Sequence, residues 1–153
     1  MTCNSTRSPL TRATVLVVDD ECLVRLMVAD DLHDRDFSIL EASSGDEAAR
    51  MLREGTEVDL VFTDVRMPGS IDGLALARLI KSEFPEIKVL VASGQVPALP
   101  VEAADGFFPK PYELASVARK IESVLTAQAG AASCAQSRRP QHPGGHYLEI
   151  AAE

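Results

Sequence analysis

A chain of 153 residues, 46% hydrophobic and 25% charged, has the composition of one ordinary globular domain, with enough material for a real core but not for two full domains. Its formal net charge of -8 argues against a nucleic-acid partner, which demands a basic stripe, and favours a cation as the small partner. No apolar run approaches the roughly 18 residues of a membrane span, and the N-terminal MTCNSTRSPLTRAT lacks the apolar centre of a secretory signal, so a cytoplasmic chain without a membrane partner is expected.

Residues 1–12 are polar and aperiodic and read as a disordered N-terminal segment. VLVV (15–18) is a continuous apolar run, the mark of a strand buried on both faces, and it ends directly in Asp19, Asp20 and Glu21. From Glu21 to Asp34 the spacing predicts a helix with Val24, Val28 and Leu32 on one face and Leu23 and Met27 beside them. FSIL (37–40) is the second strand. Ser44 and Glu47 then form a capping box that opens a helix with Ala48, Met51 and Leu52 on its apolar side. LVFT (60–63) is the third strand and runs into Asp64 within FTDVRMPG. A third helix, Gly73 to Phe84, carries Leu76, Ile80 and Phe84 at helical spacing and stops before Pro85. VLVA (89–92) is the fourth strand, ending at Ser93.

In the following GQVPALPVEAAD, Pro97 and Pro100 leave room for only a turn or so of helix near Val101 to Ala104. The short GFF (106–108) is the fifth strand and leads to Lys110. Pro111 suits the first turn of a last helix, Tyr112 to about Leu125, with Leu114, Val117, Ala118, Ile121, Val124 and Leu125 at helical spacing. Residues 127–153 are rich in Ala, Ser, Gly, Pro and Gln and read as a low-complexity, disordered tail. Cys3, Cys22 and Cys134 are odd in number and share no metal-ligand spacing, which argues against a disulfide framework or a zinc site.

Strands alternating with helices predict an α/β fold, a parallel sheet covered on both faces, within residues 13–126. Right-handed crossovers and a flavodoxin-like strand order 2-1-3-4-5 in a (βα)5 three-layer sandwich satisfy this pattern, with the fourth helix shortened. Ligands of such sheets bind beyond the carboxyl ends of the strands, where the strand order reverses between strands one and three. Asp19, Asp20, Asp64, Ser93 and Lys110 all fall on that rim.

Two carboxylates about 4 Å apart repel by roughly 4 kcal/mol at an effective dielectric of 20, so three of them require positive charge nearby. Lys110 offsets one unit, and a divalent cation with oxygen ligands, Mg2+ in the first place, offsets the rest. A carboxylate beside a cation and a lysine is a plausible nucleophile toward phosphorus, and the Ser93 hydroxyl is placed to donate to a phosphoryl oxygen.

Taken singly, each residue has a plainer reading. Acids at a helix start favour the helix dipole, and Glu21 does little more. Asp64 alone forms a turn, Ser93 alone caps one, and Lys110 alone is a solvated surface lysine. Phe107 alone is core, His142 and His146 belong to the tail, Cys22 is a small helix residue, and Arg138 and Arg139 are too few for a nucleic-acid or membrane patch.

Together, VLVVDDE, TDVRMPG with the later DG, VASG and FPKP resemble the receiver domain of two-component response regulators, in that family's order, over about residues 13–126. The resemblance implies Asp64 as phospho-acceptor, Asp20 as a direct Mg2+ ligand, Asp19 as a ligand through water, and the backbone carbonyl of Arg66 as a further ligand. It implies Ser93 as the switch hydroxyl, Lys110 as the partner of the phosphoryl group, a cis Lys110-Pro111 bond, and Phe107 at the aromatic switch position. The implied partners are a sensor histidine kinase and a downstream target or phosphotransfer protein, for a chain that is a monomer or weak dimer.

Three departures stand out. The segment from Ser93 to Lys110 is short, which shortens the fourth helix, part of the family's usual dimerisation face. Phe107 lacks a phenolic hydroxyl, and Ser70 is an extra residue in the loop after the acceptor. Arg66 and Gln95 flank the route of attacking water. Two other readings fit fewer residues: a degenerate receiver acting as a constitutive interaction module, and a Mg2+-dependent aspartyl phosphohydrolase, which wants a second Asp where this chain has Arg66.

Overall fold

The computed structural model describes residues 12–95 and 103–137. Within them the chain forms β1 (Thr14–Val18), α1 (Cys22–Asp34), β2 (Ser38–Ala42), α2 (Gly45–Arg53), β3 (Leu60–Asp64), α3 (Gly73–Glu83), β4 (Lys88–Ser93), β5 (Gly106–Pro109) and α4 (Leu114–Ser137). All pairings are parallel and the sheet order is β2-β1-β3-β4-β5, the flavodoxin-like order expected from the sequence. The register aligns the strand ends: Val18 lies opposite Ala42 and Thr63, Asp64 opposite Ala92, and Ser93 opposite Pro109.

Successive side chains of a strand point to opposite faces, so the apolar runs feed two cores at once. Leu16, Val18, Val61, Val89 and Val91 pack against Ala48, Ala49 and Leu52 of α2 and Leu76, Ala77 and Ile80 of α3. Val15, Val17, Leu60, Phe62, Leu90 and Ala92 pack against Val28 and Leu32 of α1 and Val117, Ala118 and Ile121 of α4. Each of these fully buried Leu or Ile side chains contributes about 2 kcal/mol of apolar transfer.

Several boundaries and faces differ from the sequence reading. Leu23 and Met27 are 76% and 60% exposed, because α1 meets the sheet along Val28, Ala29 and Leu32, and both residues lie about 100° or more around the helix from that line. The second strand runs Ser38–Ala42 rather than 37–40, with Phe37 buried before it. The last helix begins at Leu114, where the Glu113 carbonyl accepts from the Ser116 and Val117 N–H groups, and Tyr112 is drawn into an aromatic cluster instead. It also continues to Ser137, past the expected end near Leu125 and into the segment read as a disordered tail, through an alanine-rich stretch of high helix propensity. The expected turn of helix near Val101 to Ala104 falls largely outside the described residues, as do residues 1–11 and 138–153. Among the described residues no helix is long and apolar enough to cross a membrane.

Candidate functional site

The buried runs stop at the same edge of the sheet, so the first polar residue after each strand meets its neighbours there. After β1 the chain keeps one more sheet contact, from the Asp19 N–H to the Ala42 carbonyl at 3.2 Å, which turns Asp19 inward to 5% exposure and leaves Asp20 exposed. The Asp19 carboxylate accepts from the Glu21 N–H at 2.9 Å. Arg25, one turn into α1, donates to the Asp19 carbonyl at 2.8 Å and to Glu41 at 3.2 Å, tying this corner to β2.

Asp64 ends β3 with its side chain 11% exposed, and the Lys110 Nζ lies 3.2 Å from its Oδ2. Lys110 is held by its own N–H donating to the Ser93 carbonyl at 2.8 Å, just beyond β5, and the Lys110-Pro111 peptide bond is cis. One carboxylate oxygen from each of Asp19, Asp20 and Asp64 lies within 4.8 Å of the others. These are the residues that the sequence assigned to one pocket, and the fold brings them together with Lys110.

Burial is the main force on Asp19, pushing its carboxyl above the usual range, and the charges of Asp64 and Asp20 push the same way. The Glu21 N–H and the Lys110 ammonium oppose it without prevailing. Three carboxyl groups thus face one ammonium. A cluster of hard oxygen donors with no imidazole or thiolate among its members suits a Mg2+-like cation and would relieve that imbalance.

Ser93, 5% exposed at the end of β4, accepts through Oγ from the Gln95 N–H at 3.1 Å. The Gln95 side chain in turn accepts from the Arg66 guanidinium at 2.6 Å, so these two exposed side chains meet. Phe107 lies opposite Val91 in the β4–β5 pair and packs, partly buried, on the core shared with α2 and α3. His142 and His146 lie outside the described residues.

Three contributors escaped the sequence reading. Arg25 looks like an ordinary exposed position of an amphipathic helix. Asp46 looks like a dipole-favouring acid in the first turn of α2, yet its carboxylate accepts from the Ser70 and Ile71 N–H groups at 3.1 and 3.4 Å. Tyr112 stacks edgewise on Phe62 with ring centres 5.7 Å apart, and burial, seconded by Asp19, Asp64 and Glu21, pushes its phenol up to about 12. Only the KP dipeptide before Tyr112 hinted at its address.

The whole arrangement matches known proteins. The family model described as the response regulator receiver domain covers residues 15–122. The chain is 39% identical over 122 residues to the sensor kinase CckA of Brucella abortus (strain 2308), a match covering 76% of this chain and 13% of that kinase. It is 32% identical over 114 residues to the chemotaxis protein CheY of Listeria monocytogenes, covering 71% of this chain and 94% of that protein. Among solved structures, the response regulator TrrA of Thermotoga maritima in complex with Mg(2+)-BeF superposes with a TM-score of 0.67 at 29% identity, over 72% of this chain and 97% of that one. With the sheet order, the acidic rim and the family match in agreement, the chain belongs to the response regulator receiver domain family.

Proposed function

We propose that this chain accepts a phosphoryl group on Asp64 from the phosphohistidine of a sensor histidine kinase. It then signals by phosphorylation-dependent protein binding or by passing the group along a relay. The observation that carries this reading is the Asp64 carboxylate, 3.2 Å from the Lys110 ammonium and grouped with Asp19 and Asp20. An Asp64 oxygen attacks phosphorus in line, the P–N bond to the donor imidazole breaks, and its electron pair stays with the imidazole nitrogen.

Asp19, Asp20, Asp64 and the Arg66 backbone carbonyl would hold Mg2+, which would supply neutralising charge to the phosphoryl oxygens. Lys110 offsets a further charge on the transferring group. The Ser93 hydroxyl, which already accepts from Gln95, donates its proton to a phosphoryl oxygen. Arg66 and Gln95 flank the approach of hydrolytic water and tune the lifetime of the acyl phosphate. Phosphorylation favours one of two pre-existing arrangements, in which Ser93 moves toward the phosphoryl group and Phe107 packs inward behind it. In this reading the chain works in the cytoplasm as a signalling phospho-acceptor rather than a turnover enzyme, as a monomer or weak dimer.

Incubation with acetyl phosphate, with and without Mg2+, tests the reading. One hydroxylamine-labile phosphoryl adduct per chain is expected, dependent on Mg2+ and absent in Asp64→Asn. Multiple-turnover release of phosphate from monoesters would replace the reading with a phosphohydrolase. No adduct under any condition would reduce the chain to a constitutive interaction module.

A further inference from the structure

The loop that joins Asp64 to α3 is pinned at both its base and its tip. At the base the Gly73 N–H donates to the Val65 carbonyl at 2.8 Å, and a Cβ on Gly73 would lie 2.0 Å from the Asp64 carbonyl oxygen, so the chain can return this close to β3 only as glycine. At the tip, Gly69 adopts φ +108 and presents Ser70 and Ile71 to the first turn of α2. The Asp46 carboxylate there takes three donors from the loop: the Ser70 and Ile71 N–H groups at 3.1 and 3.4 Å on Oδ2, and the Ser70 hydroxyl on Oδ1. The fit is close on both sides. A Cβ on Gly45 would lie 2.2 Å from the Ile71 carbonyl oxygen, and one on Gly69 would lie 2.5 Å from Asp46 Oδ2.

An acid in the first turn of a helix ordinarily serves its own helix. Here the same carboxylate reaches 24 and 25 residues along the chain, to the extra residue of the loop and its neighbour. Those bonds hold its pKa below the usual carboxylate range, the Ser70 hydroxyl foremost, so it remains an acceptor at neutral pH. Between the two pinned points, Val65 and Gly69, lies Arg66, the residue whose carbonyl the proposed function assigns to the cation.

We propose that Asp46 is a positioning residue for the metal site: by clamping the loop tip through Ser70 and Ile71, it fixes the Arg66 backbone carbonyl beside Asp64. This rests on the reading of the acidic pocket as a Mg2+ site. Such outer contacts are worth about 10- to 100-fold in metal affinity when they orient a ligand.

Calorimetric titration of the full chain with Mg2+, alongside thermal melts, separates positioning from simple stabilisation. Asp46→Ala is expected to weaken Mg2+ binding about 10-fold. Asp46→Asn keeps a carbonyl oxygen for both N–H groups and an amide that can donate to the Ser70 hydroxyl, and is expected to stay within about 3-fold of wild type. Ser70→Ala removes one bond from outside α2 and is expected to weaken binding by about 3-fold, which keeps the test decisive should Asp46→Ala fail to fold.

Mg2+ affinity unchanged in a folded Asp46→Ala, or in Ser70→Ala where Asp46→Ala does not fold, would overturn the proposal and leave Asp46 as an element of helix stability alone. Loss in Asp46→Asn equal to that in Asp46→Ala would overturn the geometric clamp in favour of plain charge. Wild type that binds no Mg2+ would fail the pocket reading itself, an outcome distinct from the other two.

Discussion

Asp19 carries a cost that its neighbours do not remove. The residue is 5% exposed with two further carboxyl groups near its own, and neither the Glu21 N–H nor Lys110 brings its pKa back to the usual range. In Asp19→Asn the carboxamide oxygen can still accept from the Glu21 N–H while the buried charge is gone. The metal-free variant is therefore expected to be more stable than wild type by about 1 kcal/mol, a rise of roughly 3 °C in Tm. Wild type should gain about 2.7 kcal/mol from Mg2+ at a hundred times its Kd, and the variant, with fewer ligands, should lose most of that gain. A metal-free variant that melts below wild type would show that Asp19 stabilises rather than strains the corner.

Tyr112 gives a prediction with a definite sign. Its phenol ionises at about 12 in the folded chain against 10.0 when exposed, so between those values the folded state binds more protons than the unfolded one. The stability that Tyr112 contributes is complete below pH 10 and is lost as the pH rises toward 12, on the order of 2 kcal/mol in all. Denaturant unfolding across that range should show the loss in wild type and a flatter profile in Tyr112→Phe.

At the scale of elements, the three inner runs were readable because a strand buried on both faces reads as a near-continuous apolar run, and β1, β3 and β4 fall where the runs do. The edge was harder. β2 continues through Glu41, whose charge faces Arg25 rather than the core, and an apolar run could not announce that. The cap of α2 was legible: the Ser44 Oγ accepts from the Glu47 N–H at 3.1 Å. The reciprocal bond lands one residue earlier than expected, with the Ser43 N–H and hydroxyl donating to the Glu47 carboxylate at 2.8 and 2.7 Å. Replacing Ser44 with Ala should cost about 1 kcal/mol in denaturant unfolding, and a cost near zero would mean that the Ser43 bonds hold the helix start alone. The far end of α4 was misread because a low-complexity composition rich in alanine suits disorder and helix alike.

For the whole molecule, two cores share one sheet, and the site sits at the crevice where the chain switches from building one side to the other. Asp19, Asp20, Asp64, Ser93 and Lys110 were readable together because each directly follows or ends a recognisable strand, so strand order alone decides their meeting. Arg25, Asp46 and Tyr112 were not, since their roles depend on side chains crossing between elements far apart in the chain. The central claim is that this crevice makes Asp64, and no other acid beside it, the phosphoryl carrier. Borohydride reduction converts an acyl phosphate on aspartate to homoserine, and peptide mapping then locates it. After treatment with acetyl phosphate and Mg2+, homoserine at position 64 alone is the predicted result. Homoserine at position 19 or 20 in its place, or an adduct that borohydride leaves untouched, would contradict it.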